Sequence, residues 1–462
     1  MGGLLASLQT SSTALDVFSR ALGVDQDNIS NASTPGYAAQ RATILPIDPV
    51  GNGVGGSDTI ALSSTGNSIA DAAVQAASSE ASFTQTQTEQ LSSVNQLFDI
   101  TGTSGILAAF QQFSTAFSNL SVTPNDPSLG AAALTAAGNV ASAFQSAASS
   151  LDTQQSQVDS QIQSTVNQIN GLARQIRQLN VASVNGSGSS AAGDAQLRNA
   201  VDQLSTLVDV NVTKAADGTV TVLVGGQLPL VIGDQSFALS ANPSAAAGAQ
   251  VSSSAGGNSP VAFSGQLGAL LGTRNGALAQ LLGSGANPGT LNALAAGFAG
   301  RVNGLLSSGF TAAGAAGVPI FTLDAADPTN AARTLALDPM VTPDQLGLAT
   351  GGASPVANGI ANQLAALPGS NANADQINGL SAQDLFGSIA SSIGAQLADA
   401  RTASTSDQAT LTSAQSDRQQ LSGVSLDQEA VTITGFERSY EASAKVISIL
   451  DQLLGDTVDL IK

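Results

Sequence analysis

The sequence of 462 residues contains no cysteine, no histidine and no tryptophan, and only two tyrosines and two methionines. Without Cys or His, the chain has no thiolate nucleophile, no imidazole general base and no ordinary ligand set for zinc or haem. Most enzyme chemistry is thereby excluded, and we predict that the protein is not an enzyme and binds no cofactor or metal. A hydrolase that uses only carboxylates stays open as an alternative.

Positive charge and long apolar runs are also scarce. The chain has 14 Lys and Arg against 33 Asp and Glu, a net charge of −19, so Coulomb repulsion disfavours nucleic acid and anionic membranes as partners. No window reaches the roughly 18 continuous apolar residues of a membrane span. The first basic residue is Arg20, and no secretion signal is visible. We expect no membrane insertion and, if the protein leaves the cell, an export route without a cleavable signal peptide.

Apolar residues recur every seven positions at both ends of the chain. At the C-terminal end the repeat comprises Ile433, Tyr440, Ile447, Leu454 and Ile461, with Phe436 and Leu450 in a second row. At the N-terminal end it comprises Leu8, Leu15, Leu22 and Ile29. This spacing leaves one narrow apolar seam on each helix, which is buried against another helix in coiled coils. The pattern therefore predicts that the two terminal helices pack against each other or against copies of themselves.

Between the two seams the pattern changes from helical to extended and back. Spaced apolar residues predict long helices from about 69 to 179 and again over 266–282, 291–306 and 381–421, whereas 208–232 is typical of a β-hairpin with a third strand. The expected fold class is mainly α with a smaller β part, with nested, discontinuous domains and the terminal helices packed as a coiled coil.

This pattern also predicts the organisation of the chain into parts. Residues 1–45 are predicted to form the first helix and a turn, and to pair with the C-terminal coiled-coil helix at 430–462. Residues 46–310 are predicted to form a body of long helices with a hairpin near 208–232, to which further helices return at 376–429. Residues 311–375 are predicted to form a small irregular outer module.

Two glycine-rich segments are expected to be loops. The residue types at 51–56 match the glycine-rich dinucleotide-binding fingerprint, but prolines precede them and no helical period follows over 57–66. The fingerprint requires a flanking strand and helix, so we interpret 51–56 as a flexible loop. Residues 241–260 are rich in Ser, Ala and Gly and are predicted to form a mobile surface loop.

Residues 29–37 (Ile-Ser-Asn-Ala-Ser-Thr-Pro-Gly-Tyr) resemble the end of the first helix in bacterial flagellar rod, hook and hook-associated proteins. The resemblance implies that the family turn is formed by Asn31, Thr34, Pro35, Gly36 and Tyr37. Residues 436–446 resemble the shared C-terminal helix of these proteins, and 197–213, 265–271 and 423–429 resemble the hook–filament junction family, hook-associated protein 1. One departure is Ala39, where the family commonly has an arginine.

The resemblance implies a structural subunit that joins the flagellar hook to the filament. Family members leave the cell unfolded through the flagellar type III apparatus, and a dedicated chaperone binds their C-terminal helix beforehand. The implied partners outside the cell are copies of the chain, the hook protein and the next hook-associated junction protein. The alternatives are another axial component of the hook or distal rod and, more remotely, a secreted carboxylate-dependent hydrolase.

Overall fold

The computed structural model describes residues 2–46, 57–98, 104–186, 190–215, 217–243, 248–255, 262–285, 287–324, 326–351 and 355–459. Segment 51–56 and the seam residue Ile461 lie outside these ranges. The chain forms two compact units, each assembled from separate stretches of sequence. The first unit comprises Met1–Ser79, Ile169–Ala238 and Gln408–Lys462, and the second comprises Glu80–Gln168 and Leu239–Asp407. The five-part division made from the sequence remains a prediction.

Helices dominate the fold, which confirms the expected mainly α class. They are α1 (Gly2–Ser30), α2 (Ser68–Asn95), α3 (Gly105–Val122), α4 (Pro127–Val184), α5 (Ala191–Leu207), α6 (Gly265–Thr273), α7 (Ala279–Leu282), α8 (Thr290–Ser308), α9 (Ala331–Thr334), α10 (Gly359–Ala366), α11 (Ala382–Ser422) and α12 (Leu426–Asp459). Between α3 and α4, the Asp126 carboxylate accepts the Ser128 N–H at 2.8 Å. Pro127 is the first residue of α4, a position where the missing N–H costs nothing.

Short antiparallel sheets make up the β part. Their strands are β1 (Gln40–Pro46), β2 (Ser57–Ser64), β3 (Val210–Lys214), β4 (Val220–Val224), β5 (Leu228–Ile232), β6 (Gln235–Ser236), β7 (Leu239–Asn242), β8 (Gln250–Ser253), β9 (Phe321–Thr322) and β10 (Ala336–Leu337). The order β3-β4-β5-β6 contains the hairpin predicted at 208–232.

The structure adds a strand at one place where the sequence analysis assigned no element and differs from the expectation at another. Residues 57–64, which have no helical period, form β2 and pair antiparallel with β1. Part of 241–260, expected to be a mobile loop, is strand, because β7 pairs with β8. The Asn275 side chain fixes the start of β8 by accepting the Ala249 N–H at 2.7 Å and donating to the Ala249 carbonyl at 2.9 Å.

In the first unit, the side chain of Asn180 joins α4 to the four-stranded sheet. Asn180 is 1% exposed. Its amide nitrogen donates to the carbonyls of Val220 and Gly233, both at 2.8 Å, and its oxygen accepts the Val220 N–H at 2.9 Å. Both faces of the amide are therefore satisfied, as burial of a polar group requires. Beside it, the alternation of β4 buries Val222 and Val224.

In the second unit, phenylalanine side chains form the centre of the core. Phe113 is fully buried and contacts Phe117 and Phe298, with ring centroids 4.5 and 5.3 Å apart. Phe110 lies against Phe298 at 4.8 Å. Next to this cluster, the carboxamide oxygen of Asn303 accepts the N–H groups of Ile320 and Phe321 at 2.9 Å and so holds the start of the irregular 311–375 region.

Replacing Phe113 by alanine removes a ring from the middle of this cluster. We expect Phe113→Ala to lower the free energy of unfolding of the second unit by about 3–5 kcal/mol, because the surrounding rings cannot collapse to fill the cavity. Urea denaturation followed by circular dichroism measures this loss. Phe310→Ala is the matched control, since Phe310 is 42% exposed and its loss should shift the midpoint much less. Equal shifts for both variants would show that the cluster is not the core.

Candidate interface formed by the terminal helices

The two ends of the chain pack together as an antiparallel helix pair. Near the end of α1, the Asn28 amide donates to the Glu429 carboxylate at 3.1 Å, although the two residues are 401 positions apart. Further along, the rings of Phe18 and Phe436 lie 6.3 Å apart. Since position 28 meets 429 and position 18 meets 436, the helices run in opposite directions. This arrangement confirms the predicted pairing of the terminal helices.

The predicted seam of α12 faces its partner only in part. The half-buried seam residues of α12 are Ile433, Phe436, Ile447, Leu450 and Leu454, whereas Tyr440 is 40% exposed. No residue of α12 is fully buried over 426–457, the stretch in which its side chains are described. One neighbouring helix therefore covers one side of α12 and leaves the other side to solvent.

The predicted seam of α1 is also only partly covered. Leu8, Leu15 and Leu22 are half-buried, and Ile29 is 38% exposed. The fully buried apolar side chains of α1 are instead those of Val17 and Ala21, which lie roughly 100–180° around the helix from the predicted seam. The reason is that α1 packs against β1 and β2 as well as against α12. The heptad pattern identified the helix pair but not the contribution of the strands.

A second apolar stripe on α12 was not singled out from the sequence. Val446, Ile449 and Leu453 are 46%, 52% and 46% exposed and follow each other at steps of three and four residues. At 3.6 residues per turn they lie on one face, next to the seam formed by Ile447 and Leu450. The apolar surface of α12 is therefore wider than the strict heptad seam that the sequence analysis identified.

The family turn is built around the buried side chain of Asn28. The Asn28 oxygen accepts the Gln40 N–H at 2.8 Å and the Tyr37 hydroxyl at 2.9 Å, and its nitrogen donates to the Gln40 carbonyl at 2.8 Å. Within the turn, Asn31 donates to the Asp27 carbonyl at 2.9 Å and accepts the Thr34 hydroxyl at 3.2 Å. These contacts give Asn31, Thr34 and Tyr37 a structural role, while Pro35 is exposed.

Gly36 allows the turn to approach α5 closely. Its φ is +77°, and a Cβ atom placed there would lie 2.5 Å from the Ala195 carbonyl oxygen. Its own carbonyl accepts a hydrogen bond from the Arg198 guanidinium at 3.2 Å. A side chain at position 36 is thus opposed both by the left-handed backbone and by the neighbouring helix.

Two arginines that the sequence analysis did not identify lie beside the turn in the first unit. Arg198 of α5 pairs with Asp71 at 3.4 Å, and Arg418 of α11 pairs with Asp71 at 3.7 Å and with Asp202 at 2.7 Å. Burial raises the pKa of Asp202, an effect that Arg418 opposes. A cavity of about 230 Å³ is lined by these arginines, Asp71 and residues of the turn. The carboxylates neutralise the guanidinium groups, so the cluster mainly links α2, α5 and α11.

Ala39 occupies the place where the resemblance leads one to expect an arginine. It is 7% exposed. Its N–H donates to the Ser422 carbonyl at 3.0 Å, and its carbonyl accepts the Thr65 N–H at 2.9 Å. The backbone at position 39 therefore joins the strand region to the end of α11.

Two other kinds of site are absent from the described ranges. There, no cluster of three or more acidic side chains has a geometry that could hold a metal ion. None of the helices in this part of the chain is long and apolar enough to cross a bilayer.

Substitution of Gly36 tests its close contact with α5. We expect Gly36→Ala to lower the free energy of unfolding by about 2 kcal/mol or more, because the left-handed backbone alone costs about 1–2 kcal/mol with a Cβ atom. Urea unfolding followed by circular dichroism measures the effect. Gly23→Ala is the control: its Cβ would meet nothing within 4 Å, and alanine is the better helix former. Equal midpoints for the two variants would contradict the close contact with α5.

Comparison with known proteins identifies the family. A model of the flagellar hook-associated protein FlgK helical domain matches residues 91–321, and a model of the flagellar basal body rod FlgEFG protein C-terminal region matches 415–460. A search of curated proteins found no match. Among solved structures, the flagellar hook junction protein FlgK from Burkholderia pseudomallei has the same fold, with a TM-score of 0.64 and 16% identity over 75% of this chain and 99% of that chain. The helical-domain model alone covers half of the sequence, so the chain belongs to the FlgK family of flagellar hook-associated proteins.

Proposed function

We propose that this chain performs the structural role of its family, joining the flagellar hook to the filament, through the paired helices α1 and α12. The observation that carries the proposal is the incomplete burial of this pair. Leu8, Leu15 and Leu22 are half-buried, and Val446 and Ile449 on α12 are about half exposed. An apolar surface of this kind is covered when neighbouring copies pack around the pair.

The predicted seam residues have distinct positions in this proposal. Within one chain, half-buried seam residues such as Phe436 and Leu450 hold α12 on α1. The seam residues that are more exposed to solvent, such as Ile29 and Tyr440, are available to a neighbouring subunit. The stripe of Val446, Ile449 and Leu453 is available in the same way. One helix pair thus supports both the fold of the subunit and its contacts with other subunits.

The partners follow from the same surface. In the assembled structure they would be copies of this chain, the hook protein on one side and the next hook-associated junction protein on the other. Before assembly, an export chaperone would cover the apolar stripe of α12, because an uncovered stripe promotes premature association. We propose type III export and an extracellular place at the hook–filament junction.

The alternative functions receive less support. A hook or distal-rod protein would share the C-terminal match over 415–460, but the helical-domain match over 91–321 is to the hook-associated family. For the hydrolase alternative, Asp202 lies in a carboxylate pair with Asp71, but arginines neutralise both groups. That arrangement stabilises the fold and offers neither a free general acid nor a free base.

Deletion of the gene tests the proposed place in the flagellum. We expect the deletion strain to assemble hooks but no filaments and to release flagellin into the medium, because filament subunits then lack their attachment site. Electron microscopy of the cells and immunoblotting of the medium measure both outcomes. Expression of the intact chain from a plasmid should restore filaments. Loss of the hook in the deletion strain would instead assign the chain to the hook or rod.

Charge placed on the apolar faces of α12 tests how the subunit assembles. We expect Ile449→Asp to abolish filament attachment without unfolding the subunit, because the side chain is 52% exposed within one chain. We expect Leu450→Asp to abolish attachment and also to weaken the pairing of α12 with α1. Swimming assays report attachment, and circular dichroism of the purified chains reports folding.

Ser448→Asp provides the matched control on the same helix. Ser448 is exposed and lies on the opposite side of α12 from both apolar rows. Its carboxylate should leave swimming unchanged. Normal swimming by Ile449→Asp, or equal loss for Ile449→Asp and Ser448→Asp, would count against assembly through the exposed stripe.

A further inference from the structure

Two carboxyl groups from opposite ends of the chain meet where α12 first contacts α1. Asp25 of α1 is 4% exposed, and its Oδ2 atom has no hydrogen-bond partner. Its neighbour is the Glu429 carboxylate of α12, which is half-buried and accepts the Asn28 amide at 3.1 Å. A buried carboxylate without a partner is costly as an anion, and a second carboxylate beside it raises that cost.

No basic side chain neutralises this pair among the described residues. The charged or titratable groups around it are Glu429 on α12, Asp27 on α1 and Tyr37 in the turn, and Tyr37 binds Asn28. Arg20 is exposed and pairs with Asp16. On the adjacent strand β1, Arg41 is exposed. The surroundings of Asp25 are therefore acidic or neutral.

Asn28 cannot take over the role of a neutralising partner. Its oxygen is occupied by the Gln40 N–H and the Tyr37 hydroxyl, and its nitrogen by the Gln40 carbonyl and Glu429. The remaining way to satisfy the pair is one proton held between the two carboxyl groups, with one donating a hydrogen bond to the other. In agreement, burial and then the charge and hydrogen bond of Glu429 raise the pKa of Asp25 to about 6.

We propose that docking of α12 on α1 takes up one proton at the Asp25–Glu429 pair, which makes this pair a pH-sensitive latch between the two ends of the chain. The proton binds a carboxylate oxygen of Asp25 and is donated towards Glu429. When α12 leaves α1, both groups return to water and the proton is released. The inference concerns the single chain and does not depend on the proposed role in the flagellum.

The direction of the pH effect follows from linkage. Asp25 has an ordinary pKa of 3.8 when undocked and a pKa of about 6 when docked, so the docked form binds the proton more tightly. The contribution to docking is fully present below pH 3.8, is lost as the pH rises through about 6, and changes little above about pH 7. Between pH 5 and pH 8 the equilibrium constant for docking should fall about tenfold.

Fluorescence energy transfer in the full chain measures docking directly. The sequence has no cysteine, so Ser12→Cys and Ala442→Cys supply the only sites for a donor and an acceptor dye. Both positions are exposed, one on each helix. Titration from pH 5 upwards stays above the isoelectric point near 4.1. We expect the ratio of docked to undocked molecules to fall about tenfold by pH 8.

Variants separate the latch from a general effect of pH. Asp25→Asn carries no charge at any pH, so the labelled chain should dock equally at pH 5 and pH 8. Glu429→Gln should reduce the slope and serves as the second test if Asp25→Asn does not fold. Asp16→Asn removes a carboxylate on the same helix whose side chain is 69% exposed, and should keep the wild-type profile.

Three results would overturn the proposal. They are a wild-type profile that is flat between pH 5 and pH 8, a slope that persists in Asp25→Asn or is undiminished in Glu429→Gln, and a chain with no docked population at either pH. A failure of this kind would leave the filament-attachment phenotypes unchanged. The two sets of experiments therefore distinguish the latch from the assembly role.

Discussion

The first unit depends on one buried amide, the side chain of Asn28. It joins the end of α1 to the start of β1 and to α12, and every one of its donors and its acceptor has a partner. Two helices that meet only through an apolar seam can shift along each other, because one leucine can take the place of another at a similar cost in free energy. A buried amide does not tolerate such a shift, because a shift by one turn would leave buried polar groups unpaired. Asn28 therefore fixes which turn of α12 faces α1.

Buried and half-buried asparagines have the same role elsewhere in the chain. Asn180 joins α4 to a sheet in the first unit, whereas in the second unit Asn303 binds the backbone at 320–321 and Asn292 accepts the Ala332 N–H. Each lies on a helix and satisfies backbone groups of a strand, of an irregular segment or, for Asn292, of the short helix α9. This chain has no histidine or tryptophan, and side-chain amides make many of its specific long-range contacts. Such contacts hold irregular segments in place where apolar area is small.

The sequence predicted those features that depend on neighbouring residues along the chain. Heptad spacing predicted the pairing of α1 with α12, and the extended pattern over 208–232 predicted the hairpin. The interface details could not be predicted in this way. Val17 is buried because α1 also packs on strands, and β2 has no pattern that reveals its pairing with β1. Arg198 and Asp25 look like surface charges until partners from distant parts of the sequence lie beside them.

The contacts of the terminal helix pair change from polar to apolar along its length. This change explains how the pair can both hold the two ends of one chain together and contact other subunits. Where α1 ends and α12 begins, polar contacts join Asn28, Asp25 and Glu429. These contacts can form in only one alignment of the two helices. Further along α12, Val446 and Ile449 leave about half of their apolar side-chain surface exposed. In proteins, most of the stability of a helix comes from packing of its apolar face against other elements. Specific contacts at the base therefore set the alignment of the pair, and the apolar end gains its stability when neighbouring subunits cover it.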